Sequence, residues 1–459
     1  MLMTTKFSFV PLLVVLLLLA SCGKYLSKVS NQSLIIPSSV AGFQSLLDNA
    51  LLVTNSTPGL TPLGVDDYYL SDSSWLALTA PSGTAYNWQA NIFQGQATPS
   101  WNNPYAAIYY ANVVLDNMPG LATDSGNQAA YNAVRGSALF YRSFHFWGLE
   151  ETFGQPYRPA TAATDLGIPL RLSENPVGPE TRSSVQVVYQ QILQDLWQAL
   201  PLLPAKVQSS YPNRPSRPAA YALLARVYLT MQDSVHAKAC ADSCLSEYNG
   251  LVDYNTLDTG SLHPFSWQGN NEVLFQCSAV NYPVLHGDAA EIDTNLYRSY
   301  DTNDLRRVIF FRPAPSGDGG VCMKDGYSGL VYLFSGLATD EVYLIRAECL
   351  ARLGNIAGAM SDLNTLLQAR WRTGTFVPYT AASSQDALAL VLTERRKETL
   401  FRELRWADLR RLNQDGRFAM QLTRVLGNQT DSLPPMDPRY AYPIPDDEVL
   451  LTGIPQNLR

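Results

Sequence analysis

The chain has 459 residues, a formal net charge of −7 and an apolar fraction of 46%. That fraction excludes a disordered protein, and the length allows one large core or two to three smaller ones. A mild negative balance with no basic stretch argues against nucleic acid as a partner. The 25 Tyr and 8 Trp supply rigid, amphipathic contact area of the kind binding surfaces use.

The N-terminus carries one charge, Lys6, then an apolar run over 7–20 and small residues before Cys22. The run is short for a bilayer crossing, which takes about 20 residues. Its pattern is that of a secretory signal peptide over 1–21. Leu19-Ala20-Ser21-Cys22 resembles a bacterial lipobox, which implies cleavage before Cys22 and a lipid on its sulfur. Five further cysteines remain, an odd number that rules out a complete disulfide framework. Cys240 and Cys244 lie one helical turn apart, with no His or second Cys pair near them. They read as buried thiols.

After a polar tether over 23–37, a helix is expected over 41–52, with Phe43, Leu46, Leu47 and Leu51 on one face. Residues 54–100 are irregular, rich in Pro, Gly, Ser and Asn. Helices follow over 101–118, stopped by Pro119-Gly120, and over 127–150. A third, over 184–203, carries Val188, Ile192, Leu196 and Leu200 four apart, with Ser183 or Ser184 as cap. Two later segments look like copies. Aligning Ala225 with Ala347 also aligns Asp233 with Asn355 and Ala237 with Ala359. Each reads as helix, tight polar turn and helix, similar to a tetratricopeptide pair. Such a pair needs neighbours stacked on it to bury its face. Between the copies, 249–336 is Gly-rich, with short strands expected over 271–276 and 308–311. A long irregular stretch between helices is often functional. A charged helix over 394–412 closes the pattern, with Leu400, Phe401, Leu404 and Ala407 as its apolar stripe. Glu398 and Arg402 suit an i,i+4 pair, and the interleaved signs read as a salt-bridged structural face.

No catalytic constellation is visible. The four histidines stand apart, with no zinc helix, nucleophile elbow or phosphate loop. His145, among Phe144, Phe146 and Trp147, reads as a packed core residue. Asp66-Asp67, Glu150-Glu151 and Asp446-Asp447-Glu448 are adjacent acids whose side chains point apart, so they do not form a glycosidase pair. They read as caps and solvated turns. Neither an enzyme nor a cofactor or metal is expected. What remains is binding: flat rings stack on sugar faces while amides and acids take the hydroxyls. Trp75, Tyr86, Asn87 and Trp88 in the first irregular region are the leading candidates, with Trp267 and Tyr282 in the second.

Several motifs in order resemble one family, the SusD/RagB nutrient-uptake outer-membrane lipoproteins of Bacteroidetes type. Trp101, Tyr105, Ile108 and Asn112 match its Trp-x3-Tyr-x2-Ile-x3-Asn helix. Phe140, Tyr141, Arg142 and Phe144, then Phe153-Gly154-Gln155-Pro156-Tyr157, match its aromatic helix and loop. Val188, Tyr189, Ile192, Asp195 and Leu196 match a third element. Arg346-Ala347-Glu348, Glu394 to Glu398, Arg405-Trp406 with Asp408-Leu409-Arg410-Arg411, and Tyr442 with Gln456-Asn457 match the later ones. The chain departs at Arg402, where the family commonly has an acid, with Glu403 displaced by one. The resemblance implies a mostly α fold: a tetratricopeptide-like helical scaffold with long irregular loops and a few short strands. It implies a single domain over 22–459, with a helical part over about 38–250, a ligand-facing insert over about 250–336 and a second helical part over about 337–459. It also implies a surface-exposed lipoprotein, anchored through Cys22, that passes oligosaccharides or peptides to a SusC-like TonB-dependent transporter β-barrel. The alternative is a helical scaffold for envelope assembly.

Overall fold

The structure is a computed structural model that describes residues 36–175, 180–267, 269–327, 329 and 332–459. The signal segment and Cys22 lie outside the described residues. Ser39–Arg459 forms one compact unit.

The first helix, Val40–Leu47, starts where the Ser39 hydroxyl accepts from the Gly42 N–H at 3.1 Å. It buries Phe43 and Leu47 but ends sooner than expected, and Leu51 stands 66% exposed. Two long helices follow, Pro99–Asn117 and Gln128–Phe153, crossed by Val185–Ala199, whose N-cap is Ser184. Between the first two, Trp101 meets Phe153 edge-on at 5.0 Å. Phe140 meets Phe275, outside these helices, at 4.8 Å. Within this packing the Arg142 guanidinium donates twice to Asp195, at 2.7 and 2.8 Å, and once to Asn112 at 3.0 Å. Three polar motif residues thus satisfy one another where water is excluded. His145 is fully buried, its ring nitrogen 3.1 Å from the Leu52 carbonyl. Burial holds it down at about 4, so it is neutral at physiological pH.

The two sequence copies are helical hairpins. The first comprises Arg217–Thr230 and Ser234–Glu247, the second Thr339–Arg352 and Ile356–Gln368. Their turns correspond residue by residue. Gln232 and Gly354 both adopt left-handed backbone, with φ of 63° and 84°. The next residue, Asp233 or Asn355, caps the second helix. Ala225, Ala237, Ala347 and Ala359 are all fully buried, which lets the paired helices approach closely. All five described cysteines are buried free thiols.

The expected last helix is broken in two, Ser384–Glu398 and Arg405–Leu412. Phe401 and Glu403 take left-handed φ values of 52° and 62° between them. The charges of this region are buried rather than solvated. Arg306 is fully enclosed and donates to Asp304, Glu394 and Glu398 at 2.7, 2.5 and 2.9 Å. Arg370, also enclosed, donates to Glu272 and Glu398, each at 2.7 Å. Glu398 is therefore held from other segments, and Arg402 pairs with Asp340 instead. The expected Glu398–Arg402 pair does not form, because the helix ends between them.

The irregular regions meet in a small antiparallel sheet. Tyr68–Tyr69 pairs with Glu291–Ile292, which pairs with Val321–Met323, which pairs with Phe311–Pro313. Val273–Phe275 pairs separately with Leu337–Ala338. The strand expected over 308–311 begins only at Phe311, since Arg306–Ile309 is a helical turn.

Candidate functional site

The sheet joins two stretches more than 200 residues apart, and its edge faces solvent. Tyr69 is 38% exposed, and its hydroxyl donates to Glu291 Oε2 at 2.7 Å. Partial burial and that carboxylate push the phenol up to about 12. Gly320 lies against Glu291, where a Cβ would strike the carboxylate. Two residues earlier, Asp318 accepts from the Gly320 N–H at 3.0 Å and from the Ser316 hydroxyl at 2.8 Å, which holds its carboxyl below the usual range. The result is an exposed ring bordered by two acids.

Directly after Tyr69 the chain forms the short helix Asp72–Leu76, capped by Ser71. Trp75 is half-buried, and its indole N–H donates to the Gly83 carbonyl at 3.1 Å, which fixes the ring while part of it stays open. Leu76 stands 73% exposed beside it in sequence. The Asp72 carboxylate accepts from the Gly427 N–H at 2.8 Å, so the β-hairpin Leu422–Leu426 and Gln429–Leu433 braces this helix.

The other expected rings of the first region are not at the surface. Tyr86 and Trp88 are each 2% exposed. The Trp88 N–H donates to the Gly64 carbonyl at 2.9 Å, and the Tyr86 hydroxyl accepts from the Leu70 N–H at 2.9 Å. Arg424 lies against both rings, its guanidinium carbon 4.3 Å from Tyr86 and 5.3 Å from Trp88. Its N–H groups donate to the Val65 and Tyr68 carbonyls. These rings form a platform for an internal cation, not for a soluble ligand. Asn87 is buried and donates to Asp431 at 2.9 Å. Tyr282 is also buried, its hydroxyl 2.9 Å from that of Ser100. Trp267 is half-buried in a separate loop against Gly329. Sequence reading missed Tyr69, Glu291 and Asp318, which no local motif marks, because their cluster exists only through strand pairing.

The adjacent acids are structural. Asp66 accepts from Arg405 at 2.8 and 2.9 Å, and Asp67 accepts from Arg396 at 3.0 Å. Burial alone would raise Asp66, but Arg405 and Arg396 hold it well below the usual carboxylate range. Glu150 is fully buried, and burial pushes it up to about 8 against the pull of Arg410.

Residues 24–229 match a family described as starch-binding and associating with the outer membrane. Residues 339–457 match the SusD family. The chain belongs to the SusD/RagB family. Solved SusD-superfamily structures share its fold. One, from Bacteroides thetaiotaomicron, is 20% identical, with a TM-score of 0.75 over 92% of this chain and 100% of its own. A SusD-like carbohydrate binding protein from Bacteroides vulgatus is 20% identical, with a TM-score of 0.70 over 91% of this chain and 97% of its own. A SusD-superfamily protein from Bacteroides fragilis is 22% identical, with a TM-score of 0.70 over 91% and 99%. No curated protein sequence matches the chain. In this SusD/RagB member, no helix among the described residues is long and apolar enough to cross a membrane.

Proposed function

We propose that this SusD/RagB protein is a non-catalytic carbohydrate-binding lipoprotein of the outer membrane. Cys22 carries its anchor, and a TonB-dependent transporter β-barrel receives its ligand. The observation that carries the reading is the solvent-facing Tyr69, bordered by Glu291 and Asp318 and followed by Trp75. A half-open ring offers a stacking face to sugar C–H groups, and carboxylate oxygens accept from sugar hydroxyls. The carbohydrate-binding relative of the same fold supports this ligand class. Acyl chains contribute about 0.8 kcal/mol per buried methylene, so two or more would hold the protein durably.

Calorimetry of the full chain with neutral oligosaccharides tests the face. The double variant Tyr69→Ala/Trp75→Ala should lose about tenfold or more in affinity, since each base of stacking is worth roughly 1–3 kcal/mol in ring-on-ring systems. Its melting temperature should stay nearly unchanged. Equal affinity in the double variant would remove this face from the binding site. Co-purification of a large β-barrel with the tagged protein checks the partner, and repeated isolation without one would count against it.

A further inference from the structure

The end of the helix stack carries a cavity well apart in sequence from the Tyr69 edge. It encloses about 350 Å³, a size at which small ligands are held. The turn of the first hairpin, the last residues of Thr339–Arg352, the start of Ser384–Glu398 and the end of Arg405–Leu412 meet around it. Leu229, Ala351 and Leu388 give it an apolar wall. Arg352, Arg411 and Arg417 line it with guanidiniums, and Ser234 and Ser384 add hydroxyls.

The charged side chains that line it are mostly cationic, each with a carboxylate partner. Glu348 is wholly buried and takes two guanidiniums, Arg411 through Nη2 at 2.8 Å and Arg352 at 2.7 Å. Asp408 also takes two, Arg395 and Arg411, each at 2.8 Å. Arg417 pairs with Asp415 at 2.6 Å. Among the residues that line the cavity, three carry guanidiniums and one, Asp415, a carboxylate. Arg395 stands outside the lining, 3.8 Å from Glu341, which Arg226 also holds. Two of the lining cations are adaptable. Arg352 is the second cation on a carboxylate that Arg411 already grips with both arms. The Arg417 side chain is 51% exposed, and exposed pairs of its kind contribute little. Both can turn toward an anion at small cost, whereas Arg411 is fixed.

We propose that this cavity is a second binding site, for a carboxylate-bearing sugar. The carboxylate is taken by Arg352 and Arg417, the hydroxyls by Ser234, Ser384 and the neighbouring amides of Gln232 and Gln385, and the apolar ring face by Leu229 and Leu388. The anionic half of this assignment rests on the cavity alone. The sugar half rests on the carbohydrate-binding function proposed above.

The test titrates the full chain with oligogalacturonate, with a neutral gluco-oligosaccharide and with an aspartate-rich tetrapeptide. Arg352→Gln/Arg417→Gln removes the two adaptable cations and leaves Glu348 gripped by both arms of Arg411, and circular dichroism checks its fold. Uronate affinity should fall about tenfold or more in this variant and weaken with added salt. Neutral-sugar binding should be unchanged by it, and uronate binding should survive Tyr69→Ala/Trp75→Ala. Absence of uronate binding in a protein that still binds neutral oligosaccharide overturns the second site and leaves the first. Uronate binding lost only in the Tyr69/Trp75 variant also overturns it. Tighter binding of the peptide at the same arginines reassigns the cavity to a protein partner and overturns the sugar reading. Binding of neither sugar overturns the proposed function itself.

Discussion

One scaffold is glued by opposite chemistries in its two halves. The helices Pro99–Asn117 and Gln128–Phe153 meet through rings such as Trp101 and Phe153, and Phe140 packs on Phe275 of the strand Val273–Phe275. The helices Thr339–Arg352, Ser384–Glu398 and Arg405–Leu412 meet through ion pairs such as Arg411–Glu348 and Arg395–Asp408. Dispersion between rings is a sum of many small contacts, so it degrades in steps. A buried ion pair leaves an uncompensated charge when one partner goes, so it fails abruptly.

The largest effect is expected in the ionic half. Glu398→Ala leaves Arg306 and Arg370, both fully enclosed, each short of an acceptor. It should cost about 5 kcal/mol, the upper end of the 3–5 kcal/mol seen when one partner of a buried pair is removed. Chemical denaturation reads this directly, and a loss below about 1 kcal/mol would show that water compensates the arginines. Phe140→Ala in the aromatic half should cost about 3–4 kcal/mol through the cavity it leaves. A larger loss than Glu398→Ala would invert the contrast.

The smallest effect is a difference in pH response. Glu150, near the end of the aromatic half's long helix, keeps its proton up to about pH 8 in the folded state. The unfolded chain releases that proton near its ordinary value of 4.5. The native state therefore binds more protons in between, and stability falls as pH rises from about 5 to 8. Glu403 and Glu272, pushed by burial up to about 8 and about 7, act in the same sense. Glu150→Gln should make the decline of melting temperature across this window shallower. Burial would raise Glu348 too, but Arg411 and Arg352 hold it down at about 2. Its contribution is present above pH 4.5 and is lost only as pH falls toward 2. An unchanged pH slope in Glu150→Gln would remove that residue from the account.

The helices and the repeated hairpin were legible in the sequence because periodicity and caps are local. Asp233 and Asn355 align in the chain and both cap a helix in the fold. The break after Glu398 was not legible, since Leu400, Phe401, Leu404 and Ala407 continue an apolar stripe through a left-handed turn. The face proposed for binding was half legible. The first irregular region stands out by its aromatic composition, and Trp75 is half-buried there. Which rings face outward depends on Arg424, more than 300 residues downstream, which claims Tyr86 and Trp88 for the interior. Glu291 reaches Tyr69 only through strand register.

Three braces of that face come late in the chain. Arg405 holds Asp66, Arg424 holds Val65 and Tyr68, and the Tyr442 hydroxyl donates to Leu60. Loops closed over such separations form slowly. During synthesis, residues 60–70 must wait for nearly the whole polypeptide to emerge before their conformation is fixed. The early hairpins can already be in place by then. The face proposed for binding is thus the last part of this chain to be fixed, and a chain cut just before residue 442 would lack the Tyr442 brace on Leu60.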